Sequence, residues 1–243
     1  MSRALAAELL KLRTTRTFVA LALAALGLTL LVIVLVTSID SEFDDETLRE
    51  VFSFEQGGLF ILLLGAIGMS GEWGHRTIAA TVMSTPQRLR LMVAKVVAYS
   101  AAGALLSLVV TLAAMLVGSL ILESRGQDTI ALADAIDVLW RNVLVAAFFG
   151  PFGVCVGTLV RNTPGVIVLL LAEFLIIERT LYGLAPKVGQ FSPLVGAPFG
   201  VKGGDGEDFE YVLSTGVGVL VLCGWLAVLL AAATATLKHR DLV

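Results

Sequence analysis

From Phe18 to Val36 the chain carries no charged side chain, and apart from Gly27 and Thr29 every residue is apolar. A helix over such a run satisfies its own backbone hydrogen bonds and presents apolar side chains on every side, which suits lipid and not water. Comparable runs recur at about 52–70, 96–122, 143–160, 165–184 and 212–233. The chain as a whole is 57% hydrophobic and 15% charged, with a mean hydropathy of +0.92. Soluble domains carry about 25% charged residues. A length of 243 residues accommodates six such runs plus loops, each span needing about 20 residues. A transmembrane barrel would show alternation in ~10-residue segments, which these unbroken Leu, Val and Ala runs lack. The expected fold is an all-α integral membrane protein with six transmembrane helices. A cleaved secretory signal is the competing reading of the first run. Its apolar core would be shorter, and an acidic stretch follows in place of an Ala-x-Ala-like site.

The segments between the runs are sharply differentiated. Residues 1–17 set Arg3, Lys11, Arg13 and Arg16 against Glu8, with Leu5, Leu9 and Leu12 at helical spacing. That pattern predicts an amphipathic helix lying on the membrane surface. Ser38 to Gln56 is rich in Asp and Glu, with Arg49 its only base. Gly57, Gly58, Gly65 and Gly68 in the second run permit close helix approach. Residues 71–90 form a polar, net basic interruption in which Glu72 precedes His75 and Arg76 at the spacing where helix side chains meet. Thr85-Pro86 marks a fresh helix start, Thr as N-cap and Pro at the first helical position. Lys95 sits just inside the third run and can snorkel toward the headgroups. Pro151, beside Gly150 and Gly153, should kink the fourth span. Residues 185–211 hold Pro186, Pro193 and Pro198 around the apolar stretch FSPLVGAPFGV, which suits a segment re-entering the membrane. Cys155 and Cys223 both lie in apolar runs and read as packing residues.

Six spans place both termini on one side. Arg3, Lys11, Arg13, Arg16, Arg76, Arg88, Arg90, Lys95, Arg161, Lys238 and Arg240 then share one face, and Arg49, Arg125, Arg141, Arg179, Lys187 and Lys202 the other. The first set is nearly twice the second, so the positive-inside rule makes that face cytoplasmic. The 71–90 loop and both termini fall on it, in a cell membrane. The lipid bilayer is thus the first expected partner, and nothing suggests nucleic acid.

The sequence carries no G-x-x-x-x-G-K-[ST] phosphate cradle. His75 and His239 are its only histidines, too few for a metal cluster or a Ser/His/Asp set. No catalytic residue, metal or cofactor is therefore expected in this chain, and a pump built on it needs an energy source from elsewhere. Three stretches suggest which. Glu8-Leu-Leu-Lys-Leu-Arg-Thr-Thr-Arg-Thr, Gly71-Glu-Trp-Gly-His-Arg-Thr-Ile followed by Ser84-Thr-Pro, and the ending His239-Arg-Asp together resemble the permease subunit of ABC-2 type ATP-binding cassette transporters, in the small bacterial group with six spans per chain. The first resembles that family's amphipathic connecting helix, the second its cytoplasmic coupling loop, the third its tail after the last span.

The resemblance implies an ATP-driven exporter or lipid-handling transporter in a bacterial cell membrane. It would be built from two permease chains, as a homodimer or heterodimer, and two copies of a separate ATP-binding subunit that holds ATP and Mg. It assigns the coupling surface to Glu72, Trp73, His75, Arg76, Thr77 and Ile78, and the Pro-rich 185–211 segment to an extracellular re-entrant element. The alternatives are an ATP-independent channel or secondary transporter, and a non-transporting sensor or resistance scaffold.

Two acids remain to be placed. Glu173, inside the fifth run, is costly in lipid and should face protein or water. It either lines a translocation path or binds a cationic group, holds two helices together as a protonated or hydrogen-bonded acid, or lies at the interface if the span starts later. Glu55 near the outer end of the second run is a second path candidate, or simply a carboxylate welcomed by a helix N-terminus.

Overall fold

The structure is a computed structural model that describes residues 2–39, 43–74, 88–203 and 211–239. It is helical throughout, with no strand among the described residues. The helices are α1 (Ser2–Thr14), α2 (Arg16–Ile39), α3 (Asp45–Ser53), α4 (Gly57–Gly74), α5 (Arg88–Ser124), α6 (Leu132–Val160), α7 (Thr163–Ala172), α8 (Glu178–Leu184), α9 (Pro186–Gly189), α10 (Gly196–Lys202) and α11 (Thr215–His239). A π-helical turn, Glu173–Ile177, joins α7 to α8. Among the described residues, five stretches are long and apolar enough to cross a membrane: Arg16–Ile39, Glu46–Gly74, Leu89–Ser124, Leu132–Val160 and Thr215–Leu237.

The second of these departs from the expected 52–70 span. Asp44 caps α3 by accepting the Thr47 N–H at 2.8 Å, and α3 ends at Ser53. A break at residues 54–56 separates it from α4. Gly57 and Gly58 follow, so the chain turns there and α4 alone carries the apolar run. Its 18 residues extend roughly 27 Å at 1.5 Å per residue, close to a bilayer's hydrocarbon thickness. The fourth expected span lies within α6, which holds Pro151 in its interior.

The core is organised by glycine. α4 makes its most extensive interface with α6, and α5 packs on α6 next. A Cβ added at Gly153 would lie 2.0 Å from the Leu62 carbonyl oxygen, one at Gly65 2.4 Å from that of Gly150, and one at Gly103 2.4 Å from that of Ala146. Backbone therefore meets backbone across these helices, the arrangement small residues make possible where lipid supplies no hydrophobic drive between spans. Ile61, Leu62, Ala66, Ala98, Ala146, Val154 and Cys155 fill the surrounding core. A smaller cluster, built on Ile33, Leu48, Phe52, Ala114 and Leu122, packs α3 against α2 and α5 at the other end of the bundle. There the buried Asn142 donates to the Phe52 carbonyl at 3.1 Å and to Thr111 at 3.3 Å, tying α3 to α5 and α6.

Candidate functional site

The end of the bundle where α4 stops and α5 begins holds four charged side chains in one cluster. The Lys95 ammonium lies 2.8 Å from Glu8 Oε2 and 2.6 Å from Glu72 Oε1. Lys11 lies 2.8 Å from Glu8 Oε1 and 3.0 Å from Glu72 Oε1. Lys95 is 1% exposed and Glu8 4%, whereas Lys11 is 47% exposed. Lys95 therefore does not snorkel. Two carboxylates meet it inside the protein, and a stem reaching for the headgroups would leave both without it.

The four members come from three elements. Glu8 and Lys11 sit three apart on α1, so one turn presents both. Leu12 is buried on the same side, while Leu9 faces out. Glu72 is in the last turn of α4, and Lys95 is in the second turn of α5. The cluster thus closes over the two flanks of residues 75–87 and ties both to α1. His75, Arg76, Thr77 and Ile78, the other coupling candidates, lie outside the described residues. Spacing pairs Glu72 with His75 or Arg76; among the described residues, Lys95 and Lys11 both bind it.

Trp73, the remaining coupling candidate, stacks under Arg161, whose guanidinium carbon lies 3.8 Å from the ring centroid. Arg161 ends α6 in a left-handed conformation, φ 56°, and its N–H bonds to the Gly157 carbonyl. That slot normally takes Gly or Asn. Here an arginine bears the strain, and its side chain bridges the end of α6 to the end of α4. Next to it, Ser70 and Thr163 share a hydrogen bond of 3.0 Å, and Asn162 caps α7 by accepting the Gly165 N–H at 3.2 Å. The ends of α4, α6 and α7 are cross-linked around the cluster by these contacts.

Burial works against charge on Glu8, but Lys95 and Lys11 outweigh it and hold its carboxyl below the ordinary value of 4.5. Burial likewise works against charge on Lys11, and Glu8 and Glu72 outweigh it, holding the ammonium above its ordinary 10.5. A lowered acid stabilises the fold above its unfolded value and loses that contribution as pH falls through the folded one. A raised base contributes fully below its unfolded value and loses that as pH rises through the folded one. The contributions of Glu8 and Lys11 are therefore both at full strength between 4.5 and 10.5. Thermal unfolding of the reconstituted protein should show a midpoint that drops as pH falls below 4.5, with a visibly smaller drop in Glu8→Gln.

The two path candidates lie elsewhere. Glu55 occupies the break before α4 and is buried. Its carboxylate faces the amides of Gly57 and Gly58 and the hydroxyl of Ser107, with Lys202 as an opposing charge. Lys202 itself donates to the Ser53 carbonyl at 2.7 Å. Glu55 is thus packed at the start of α4, and α10 is anchored to the end of α3. Glu173 opens the π turn and lines an apolar cavity of about 390 Å³ between α6, α7, α8 and α11.

Glu178 is the residue that reasoning from spacing missed. It is buried, and its Oε2 accepts the N–H of Leu194 at 2.9 Å and of Val195 at 2.7 Å. One carboxylate thereby pins the turn leading into α10, while Ser192 Oγ accepts the Gly196 N–H at 2.9 Å. In a regular α-helix, residues five apart lie roughly 140° apart around the axis. The wider π turn, closed by the Glu178 N–H on the Glu173 carbonyl, brings both acids to the same cavity. The available signal was the pair of N–H groups after Pro193 that need an acceptor.

No protein-family model matches this chain, and no curated protein matches it.

Proposed function

We propose that this chain is the membrane-spanning subunit of an ATP-driven exporter, receiving work from a separate ATPase through residues 72–78. The observation that carries the reading is the buried charge cluster. Glu72 and Lys95 flank residues 75–87, and Glu8 and Lys11 lock those flanks to α1. A force applied to that loop would pass into α4 and α5 together, and from α4 into α6 through the glycine contacts between backbones. A segment that served only as a connector would have no need of such a clamp. In this reading the continuous helix from Thr163 to Leu184 is a further span, giving six, and the short helices α9 and α10 are the re-entrant element pinned by Glu178. The basic end faces the cytoplasm of a bacterial cell, and the resemblance in the 8–17, 71–78 and 239–241 stretches supports the identity of the partner.

The test is functional. The tagged chain, purified from its native membrane, should carry with it a second chain that has a phosphate-cradle motif and hydrolyses ATP. Arg76→Ala should preserve that assembly while cutting ATP-dependent cargo movement in vesicles at least tenfold. Normal movement by the variant, or ion-gradient-driven transport by the chain alone, would sink the assignment.

A further inference from the structure

We infer that the cavity beside the π turn binds an amphiphile bearing a single positive charge, its apolar body in the cavity and its cation on Glu173. The inference rests on the exporter reading for its bearing on transport, but not for the binding itself. The cavity of about 390 Å³ falls within the 300–1,000 Å³ typical of small-molecule sites. Its walls include Phe152, Val156, Leu169, Phe191 and Trp225, which suit an alkyl or aryl body. Trp225 is fixed in place by donating its indole N–H to the Phe191 carbonyl at 3.0 Å.

Two carboxylates reach this space, and they are not equivalent. Glu178 is committed to the backbone amides of Leu194 and Val195. Glu173 is half-buried, and its carboxylate makes no hydrogen bond or ion pair among the described residues. A carboxylate on an apolar wall is costly unless a cation meets it. The aromatic faces of Phe152, Phe191 and Trp225 also favour a cation over an anion. The π turn is what sets Glu173 there, since such bulges re-aim side chains at sites of use. A neutral lipid tail would fit the walls but leave Glu173 unmatched, and an anionic amphiphile would be repelled by it.

The test is direct binding by the full chain in phosphatidylcholine nanodiscs. Trp73→Phe with Trp140→Phe leaves Trp225 as the sole indole, and dodecyltrimethylammonium with a brominated chain serves as quencher. Saturable quenching is expected, with Glu173→Gln weakening the dissociation constant at least tenfold. Brominated dodecanol should quench without saturating. Leu169→Trp, which narrows the cavity from its exposed side, should reduce unlabelled dodecyltrimethylammonium binding, measured by equilibrium dialysis in the otherwise native chain. Equal affinity in Glu173→Gln, or saturable binding of the alcohol with the same constant, would overturn the inference. Because no ATPase is present, this outcome is separate from the fate of the coupling assignment.

Discussion

Lys95→Ala is expected to destabilise the protein by about 3–5 kcal/mol, the range for removing one partner from a buried ion pair. The reason is geometric. Glu8 Oε2 and Glu72 Oε1 each lie within 3 Å of the Lys95 ammonium, which is 1% exposed. Its loss takes the buried ammonium from between two inward carboxylates. Lys11→Ala should cost far less, about 0–1 kcal/mol, because Lys11 is 47% exposed and water screens it. The triple change Glu8→Gln, Glu72→Gln, Lys95→Met removes the charges together and should recover most of the loss, since a neutral replacement no longer strands a charge. Unfolding in mixed micelles reads all three. Equal losses for Lys95→Ala and Lys11→Ala would show that the buried ammonium is not the keystone. The triple variant also separates roles: it should be stable and yet defective in coupling, because its neutral side chains no longer clamp the flanks of 75–87.

The second large effect is expected at Gly153. A Cβ there would stand 2.0 Å from the Leu62 carbonyl oxygen, and 3.0 Å from the Ala66 nitrogen. Both are backbone, so no rotamer can yield, and α4 and α6 must separate. Gly153→Val should cost more than the about 1–3 kcal/mol usual for an overpacked core, because the whole interface opens. Gly27 and Gly224 have no heavy atom within 4 Å of an added Cβ, and Gly27→Ala and Gly224→Ala should be tolerated. Thermal unfolding of the four proteins in one detergent decides this. A Gly153→Val midpoint matching that of Gly27→Ala would contradict the packing described for α4 and α6.

What was legible in the sequence follows from range. Apolar runs declare themselves locally, so Phe18–Val36 and the run at about 52–70 announce helices whatever surrounds them. The glycines of the second span were equally readable, because only close packing excuses so many in one helix. Long-range electrostatics were not readable. Lys95 finds Glu8 from 87 residues away and Glu72 from 23, distances at which spacing rules are silent, so a snorkelling lysine was the natural local expectation. Glu173 and Glu178 show the same limit in a subtler form. Helical periodicity assigns them to different faces, and only the π turn puts both at one cavity. The buried Glu55 lies in a break and not in a helix because Gly57 and Gly58 start α4 later than the apolar run begins.

We propose that residues 72–78 deliver work from a second chain. A benzophenone-bearing residue in place of Thr77, irradiated in native membranes, tests that contact at its centre. The predicted result is a crosslink to a chain carrying a phosphate-cradle motif, with ATP hydrolysis by the purified complex. Crosslinks to lipid alone, with the complex retaining full ATP-dependent transport, would contradict it.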